Sequence, residues 1–489
     1  MSGDSSKVEP GAHAALPWWV PLGLAIVCAA EAWHLRAYVV DDGYIFLRFA
    51  HNLAHGGGWS FNPGHPIHAT TSPLWALTVL PFESLFARFD GAFVGLYALF
   101  VWLFAFAIAT LARPIGLTMA ALLGLVAACE PTLWQSSGLE TALFLASVAW
   151  VAVAHERAAG AAEGVGLGLA FLARPDAALL AVLVWGHSTW RDRQVPWRSV
   201  CCTAALVVPW LVAASLMFGS PIPSTLGAKL AQASLGWWAT QPPFAVAAVE
   251  ASALGAMGLT LAILAVAPMR GCNGHNGLRL FIAFGLTQLL AYTVMRAPTG
   301  YFWYYAPFVA ASAVGASVGT SRVGFALGGR WRRAASVCAP ALAALVIGVE
   351  CAALAKLPTE YRDGAEYRAA AAWIAGHSTA DASIAATEIG TIGYYSDRPI
   401  VDLHGLIHPE ARAAVRAEDP SWWMAREPAW VVVHHPAWYA EPHFAKTPGK
   451  LEAWFDERYT LVASFGAGPL AVEVWQRTSG GAAALGGSP

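Results

Sequence analysis

"GAFVGLYALFVWLFAFAIATL" occupies residues 91–111 and carries no charged side chain. At 1.5 Å per helical residue such a run reaches ~30 Å, the thickness of a bilayer's hydrocarbon core. Working outward, further apolar runs fall at about 18–35, 73–88, 115–130, 139–155, 160–172, 175–189, 198–217, 244–268, 278–293, 303–320 and 334–355. Of 489 residues, 57% are hydrophobic and 12% charged, half the ~25% charged that soluble domains carry. The pattern predicts a polytopic α-helical membrane protein, since a helix satisfies its own backbone in lipid. A formal net charge of −2 without a basic patch excludes a nucleic-acid partner. The seven cysteines, in or beside apolar runs and without a CxxC pair, exclude a disulfide framework and a zinc ribbon.

Basic loops set the orientation. "WRDRQVPWR" (190–198), "SRVGFALGGRWRR" (321–333) and "MRGCNGHNGLR" (269–279) are the densest short positive segments, so all three should face the cytoplasm. Residues 218–243, 294–302 and everything after 356 then share the outer side, together with 130–141. Counting forward from a cytoplasmic N-terminal tail places 36–72 outside too. The two counts agree only for an odd number of crossings. About eleven are therefore expected, with 73–88, short and carrying Pro81 and Glu83, as the run that fails to cross.

Composition divides the chain into a membrane domain, 1–356, with a first external loop at 36–72, and an extracytoplasmic domain, 357–489. In the latter, "GAEYRAAAAWIAGH" predicts a helix, and "DASIAAT", "RPIVDL", "AWVVVHH" and "YTLVASF" predict strands. The alternation is that of a small α/β domain.

The first loop opens on two carboxylates, "DDGYIFLRFAHNLAHGGG" (41–58). Ile45, Leu47, Phe49 and Leu53 suit a half-buried helix that stops at Gly56-Gly57-Gly58. Asp41 and Asp42 then lie at its N-terminus, where an acid stabilises a helix without any further role.

The whole stretch, "DDGYIFLRFAHNLAHGGGWSFNPG…TSPLW", resembles the first external loop of GT-C membrane glycosyltransferases. The likeness is nearest to the bacterial subgroup with the mycobacterial terminal arabinofuranosyltransferases; protein mannosyltransferases and aminoarabinose transferases are further away. "SSGLETALF" (136–144), "AFLARPDAAL" (170–179), "FGSPIPSTLGAK" (218–229), "GYFWYYAPF" (300–308) and "EIGTIGYYSDRPIVDLHGL" (388–406) follow the same pattern in order. The subgroup's usual RPE reads Arg174-Pro175-Asp176 here, and the Asn of its PNT is Ser224. The resemblance implies transfer of a sugar, arabinofuranose or another pentose or hexose, from a polyprenyl-phosphate donor. The acceptor would be a cell-envelope glycan or lipid at the outer face of a bacterial cytoplasmic membrane, and the reaction inverting. It also implies that Asp41 is the general base, with Asp42 orienting or replacing it.

Displacing a lipid phosphate calls for cations on the leaving-group side. Arg48, Arg174, Lys229 and Arg296 are the candidates. Their competing readings are a span-end turn for Arg174, an interfacial lysine for Lys229, and belt chemistry for Arg296 beside Tyr304. Glu140 is a second acid for placing the acceptor or a metal, and Tyr304 and His404 are further substrate contacts. A divalent cation is left open: His51 and His55 share a helix face but lack a third ligand. His65, His68, His408, His434 and His435 are scattered over outer segments. A transporter or flippase of lipid-linked saccharides is the rival class. It would carry charges within several spans or two matching halves, and neither stands out. A non-catalytic envelope assembly subunit is a third reading, in which the loop carboxylates are dispensable.

Overall fold

The structure, a computed structural model, describes residues 15–85, 90–232, 239–268, 276–362, 364–417, 419–434, 450–467 and 471–478. The chain forms two compact units: Met1–Leu35 with Phe93–Trp210 and Pro242–Leu357, and Arg36–Ala92 with Leu211–Gln241 and Pro358–Pro489. The contiguous division at residue 356 expected from composition thus gives way to an interleaved one. The cause is burial. The first loop's Ile45, Phe49 and Phe61 join Ala228 and the tail's Tyr367, Ile374, Ile384, Ile389 and Ile392 in one hydrophobic core.

The first unit is helical. Among the described residues, five helices are long and apolar enough to cross a membrane: Ala92–Ile115, Leu117–Gln135, Trp197–Phe218, Asn276–Val294 and Gly329–Leu354. A sixth span results if Phe244–Ala251 and Gly255–Val266 count as one. The sequence reads 244–268 as a single run, but these two helices meet at 96°. Ser252 is extended there, its hydroxyl donating to Val249 O at 2.8 Å, and Gly255 takes φ +53°. Trp19–His34, Thr141–Glu156 and Gly160–Ala173 are apolar but shorter. Small residues let helices approach. A Cβ on Gly315 would lie 2.9 Å from Ala262, and one on Gly319 would lie 2.1 Å from the Leu261 carbonyl, the small-xxx-small packing of membrane helices.

The second unit is α/β. Strands β1 (Ile384–Ala386), β2 (Ile400–Asp402), β3 (Trp430–His434), β4 (Tyr459–Phe465) and β5 (Val472–Arg477) form one sheet in the order β2-β1-β3-β5-β4. β1 runs parallel to β2 and β3, while β5 is antiparallel to β3 and β4. Alternation splits each strand between two cores. Ile384, Ala386, Trp430 and Val432 face the core that holds the first loop; Ala385, Val431 and Val433 pack with Trp423, Phe455 and Tyr459. The predicted helix is Gly364–His377 and the four predicted strands are present; β5 was not predicted. Residues 73–88 supply a helix, Pro73–Leu85, whose 13 residues reach only ~20 Å.

Candidate functional site

The acidic pair opens the helix Asp41–Ala54 after an extended Val40. Asp41, 7% exposed, turns away from its own helix toward the start of another, Ile389–Ser396. Its two carboxylate oxygens accept from the backbone N–H of Gly390 at 2.8 Å and of Thr391 at 2.7 Å, so it satisfies donors that a helix start leaves bare. The approach depends on glycine, since a Cβ on Gly390 would lie 1.9 Å from Asp41 O. Burial pushes the Asp41 carboxyl up to about 6; the Thr391 and Gly390 bonds oppose that rise and the Asp42 charge adds to it. Asp42 differs. Its side chain is 27% exposed, and Lys229 Nζ, from the helix Ser224–Gln232, lies 3.5 Å from its carboxylate.

The Lys229 segment is tied down on both sides. Ser224 N donates to His68 O at 2.7 Å, and the Ser224 hydroxyl donates to Leu406 O at 3.1 Å. Ser224 is therefore a working hydrogen-bond donor.

Arg48 sits further along the same helix, Asp41–Ala54. It is 1% exposed, donates to Phe61 O at 3.2 Å and forms an ion pair with Asp397. Along the same helix, His51 Nδ1 meets Glu83 at 3.2 Å, and the Tyr394 hydroxyl donates to both Glu83 oxygens at 3.0 and 3.1 Å. Glu83 is thereby consumed in packing Pro73–Leu85 against the unit.

Arg174, Glu140, Tyr304 and Arg296 belong to the helical unit, not to the unit of the acidic pair. Pro175 holds Arg174 extended at the end of Gly160–Ala173. At 3% exposure its guanidinium sits 3.2 Å from Asp176, 3.3 Å from the Tyr292 hydroxyl and 4.0 Å from Glu140, with the Phe144 and Tyr304 rings each at 5.2 Å. Tyr292 in turn donates to Asp176 at 3.1 Å. Burial disfavours the Arg174 charge, but the Asp176, Tyr292 and Glu140 charges outweigh it and raise the pKa. Arg296 is exposed and at φ +52°. Glu130, read beside Glu140, caps Pro131–Gln135 through Thr132 N and Leu133 N at 2.9 and 2.7 Å.

In the tail, His404 N and Ile407 N donate to buried Asp402 at 2.9 and 3.0 Å, shaping the turn after β2. His435 and Cys272 lie outside the described residues. Among the described residues no three His, Cys, Asp or Glu side chains gather so as to hold a metal ion. Sequence reasoning also missed Glu350, 1% exposed inside Gly329–Leu354 with neither carboxylate oxygen bonded. A lone acid within an apolar run was the available signal.

Along nearly its whole length the chain has a fold found among solved structures. The particular likeness is to ArnT from Cupriavidus metallidurans. Its crystal structure bound to undecaprenyl phosphate matches with a TM-score of 0.60 at 14% identity, over 94% of this chain and 98% of that one. The apo state gives 0.59 at 14%, over 94% and 97%. Arabinofuranosyltransferase AftD from Mycobacteria gives 0.48 at 17%, over 95% of this chain and 42% of its own. Residues 359–482 match a domain of unknown function, DUF8728. None of the curated proteins matches the chain.

Proposed function

We propose that the protein is an inverting membrane glycosyltransferase moving a sugar from a polyprenyl-phosphate donor to a glycan or lipid acceptor at the outer face of the bacterial cytoplasmic membrane. The ArnT-like fold along nearly the whole of both chains supports the class, and ArnT itself holds undecaprenyl phosphate. One observation carries the chemistry: an acid at a helix start, open to solvent, paired with a lysine 3.5 Å away. On that ground we take Asp42 as the base rather than Asp41, whose oxygens accept from Gly390 and Thr391. Asp42 takes the proton of an acceptor hydroxyl, and the oxygen attacks the anomeric carbon from the face opposite the phosphate. The bond from that carbon to the phosphate oxygen breaks, its electron pair leaving on the polyprenyl phosphate, whose charge Lys229 offsets. Asp41 positions the pair by tying the first loop to the tail. Arg174 keeps its place in the proposal as a structural cation of the helical unit, with Glu140 and Tyr304 around it.

The test is transfer from a panel of polyprenyl-phosphoryl pentoses and hexoses to envelope glycans by the purified full chain. Wild type should transfer from at least one donor, and Asp42→Asn should lose about 10²–10⁴-fold in rate, the usual worth of a general base. Movement of the donor lipid between leaflets without transfer would establish the flippase instead.

A further inference from the structure

The α/β unit holds a cavity of about 840 Å³ lined from residues 61–68 of the first loop, from 218–227, and from 407–412 and Arg426 of the tail. Its volume lies in the range of small-molecule sites, ~300–1,000 Å³. Neither aspartate of the acidic pair lines it. Its charges do not cancel. Glu410 accepts from Arg426 at 2.8 Å and contacts His408 at 3.0 Å, so that acid is already paired. Arg412 has no acid partner among the described residues, and its Nε is buried without a hydrogen bond. The guanidinium lies beside Gly227, where an added Cβ would come within 3.0 Å of Nη1. An arginine so placed presents its remaining donors to whatever fills the cavity, and its planar fork matches a carboxylate or phosphate. The other walls are mixed. Phe218 stacks on His68 with ring centroids 5.3 Å apart, giving an aromatic face, while Ser220 and His65 add polar edges.

We propose that this cavity binds an anionic saccharide, its carboxylate or phosphate on Arg412 and its ring against the aromatic wall. The anion can come from a soluble glycan or from the head of a lipid. The binding claim is independent of catalysis; that the ligand is the acceptor rests on the transferase reading above.

The experiment titrates the full chain in detergent with digalacturonic acid, with its neutral counterpart digalactose, and with inorganic phosphate. Digalacturonic acid should bind at least tenfold more tightly than digalactose, and phosphate more weakly than digalacturonic acid. Arg412→Gln should cost digalacturonic acid tenfold or more and leave digalactose unchanged. Gly227→Ala, which pushes the guanidinium aside, should weaken the same ligand, and Arg412→Lys should retain part of the binding. These two variants serve if Arg412→Gln does not fold. Competition by phosphatidylglycerol vesicles would assign the anion to a lipid head, and its absence to a glycan. Equal binding of both disaccharides, or digalacturonic acid binding within twofold of wild type in folded Arg412→Gln, overturns the proposal. Wild type that binds digalacturonic acid yet transfers from no donor leaves the pocket standing and removes the transferase.

Discussion

Two acid–base contacts in this molecule look alike in sequence and differ in kind. In the Asp42–Lys229 pair the ion contact is 3.5 Å long, with side chains 27% and 13% exposed. The Arg174 cluster, in the other unit, gathers Asp176, Tyr292 and two aromatic rings around a guanidinium 3% exposed. A buried ion held by several partners ties its segments together, and on the proposed reading that is the role of Arg174. A partly exposed pair contributes modestly to stability, ~0–1 kcal/mol, and on the proposed reading it serves proton transfer. On the proposed reading, the difference between a structural and a chemical cation here is what surrounds it, not its residue type.

That contrast can be broken at either end. Arg174→Gln strands the Asp176 and Glu140 charges, and removing one partner of a buried pair costs about 3–5 kcal/mol. A thermal melt should show a large fall in Tm, with activity lost in proportion to folded protein. Lys229→Ala should do the opposite: Tm nearly unchanged, and transfer slowed about 10²-fold, as for loss of one transition-state donor. Gly390→Ala sharpens the account of Asp41. Its Cβ meets a backbone oxygen that cannot swing away, so overpacking of about 1–3 kcal/mol should appear as a lower Tm.

The smallest effect is in pH. Burial holds Asp41 at about 6, above its ordinary value, so between roughly pH 4 and 6 the folded chain keeps a proton that the unfolded chain has released. Stability from this group is therefore greatest at low pH and falls as pH rises through that window, then levels. Melts of Asp41→Asn against wild type should show that part of the slope removed.

Much of the architecture was legible because it is local. Gly364–His377 is an alanine-rich helical stretch, and β1 to β4 are short β-rich runs. β5 carried a readable signal too, with Val472 and Val474 buried on either side of Glu473, and its alternation was overlooked. The Asp41–Ala54 helix and its glycine stop follow from capping chemistry. The site's allegiances were not legible, because they join residues far apart in sequence. Asp41 meets Thr391 at a separation of 350, and Arg48 meets Asp397 at 349. Composition sees an acid beside a cation but not which helix N-terminus has already claimed its oxygens. The bend at Ser252 was hidden for a related reason: hydropathy averages over a break that only backbone dihedrals reveal.

The central claim is the division of labour between adjacent aspartates, and single-turnover transfer by Asp41→Asn beside Asp42→Asn tests it most directly. The account predicts that Asp42→Asn keeps the wild-type Tm and loses about 10²–10⁴-fold in rate, while Asp41→Asn melts lower yet transfers at a rate within about tenfold of wild type when folded. A folded Asp42→Asn that transfers at the wild-type rate, with Asp41→Asn inactive, would contradict it.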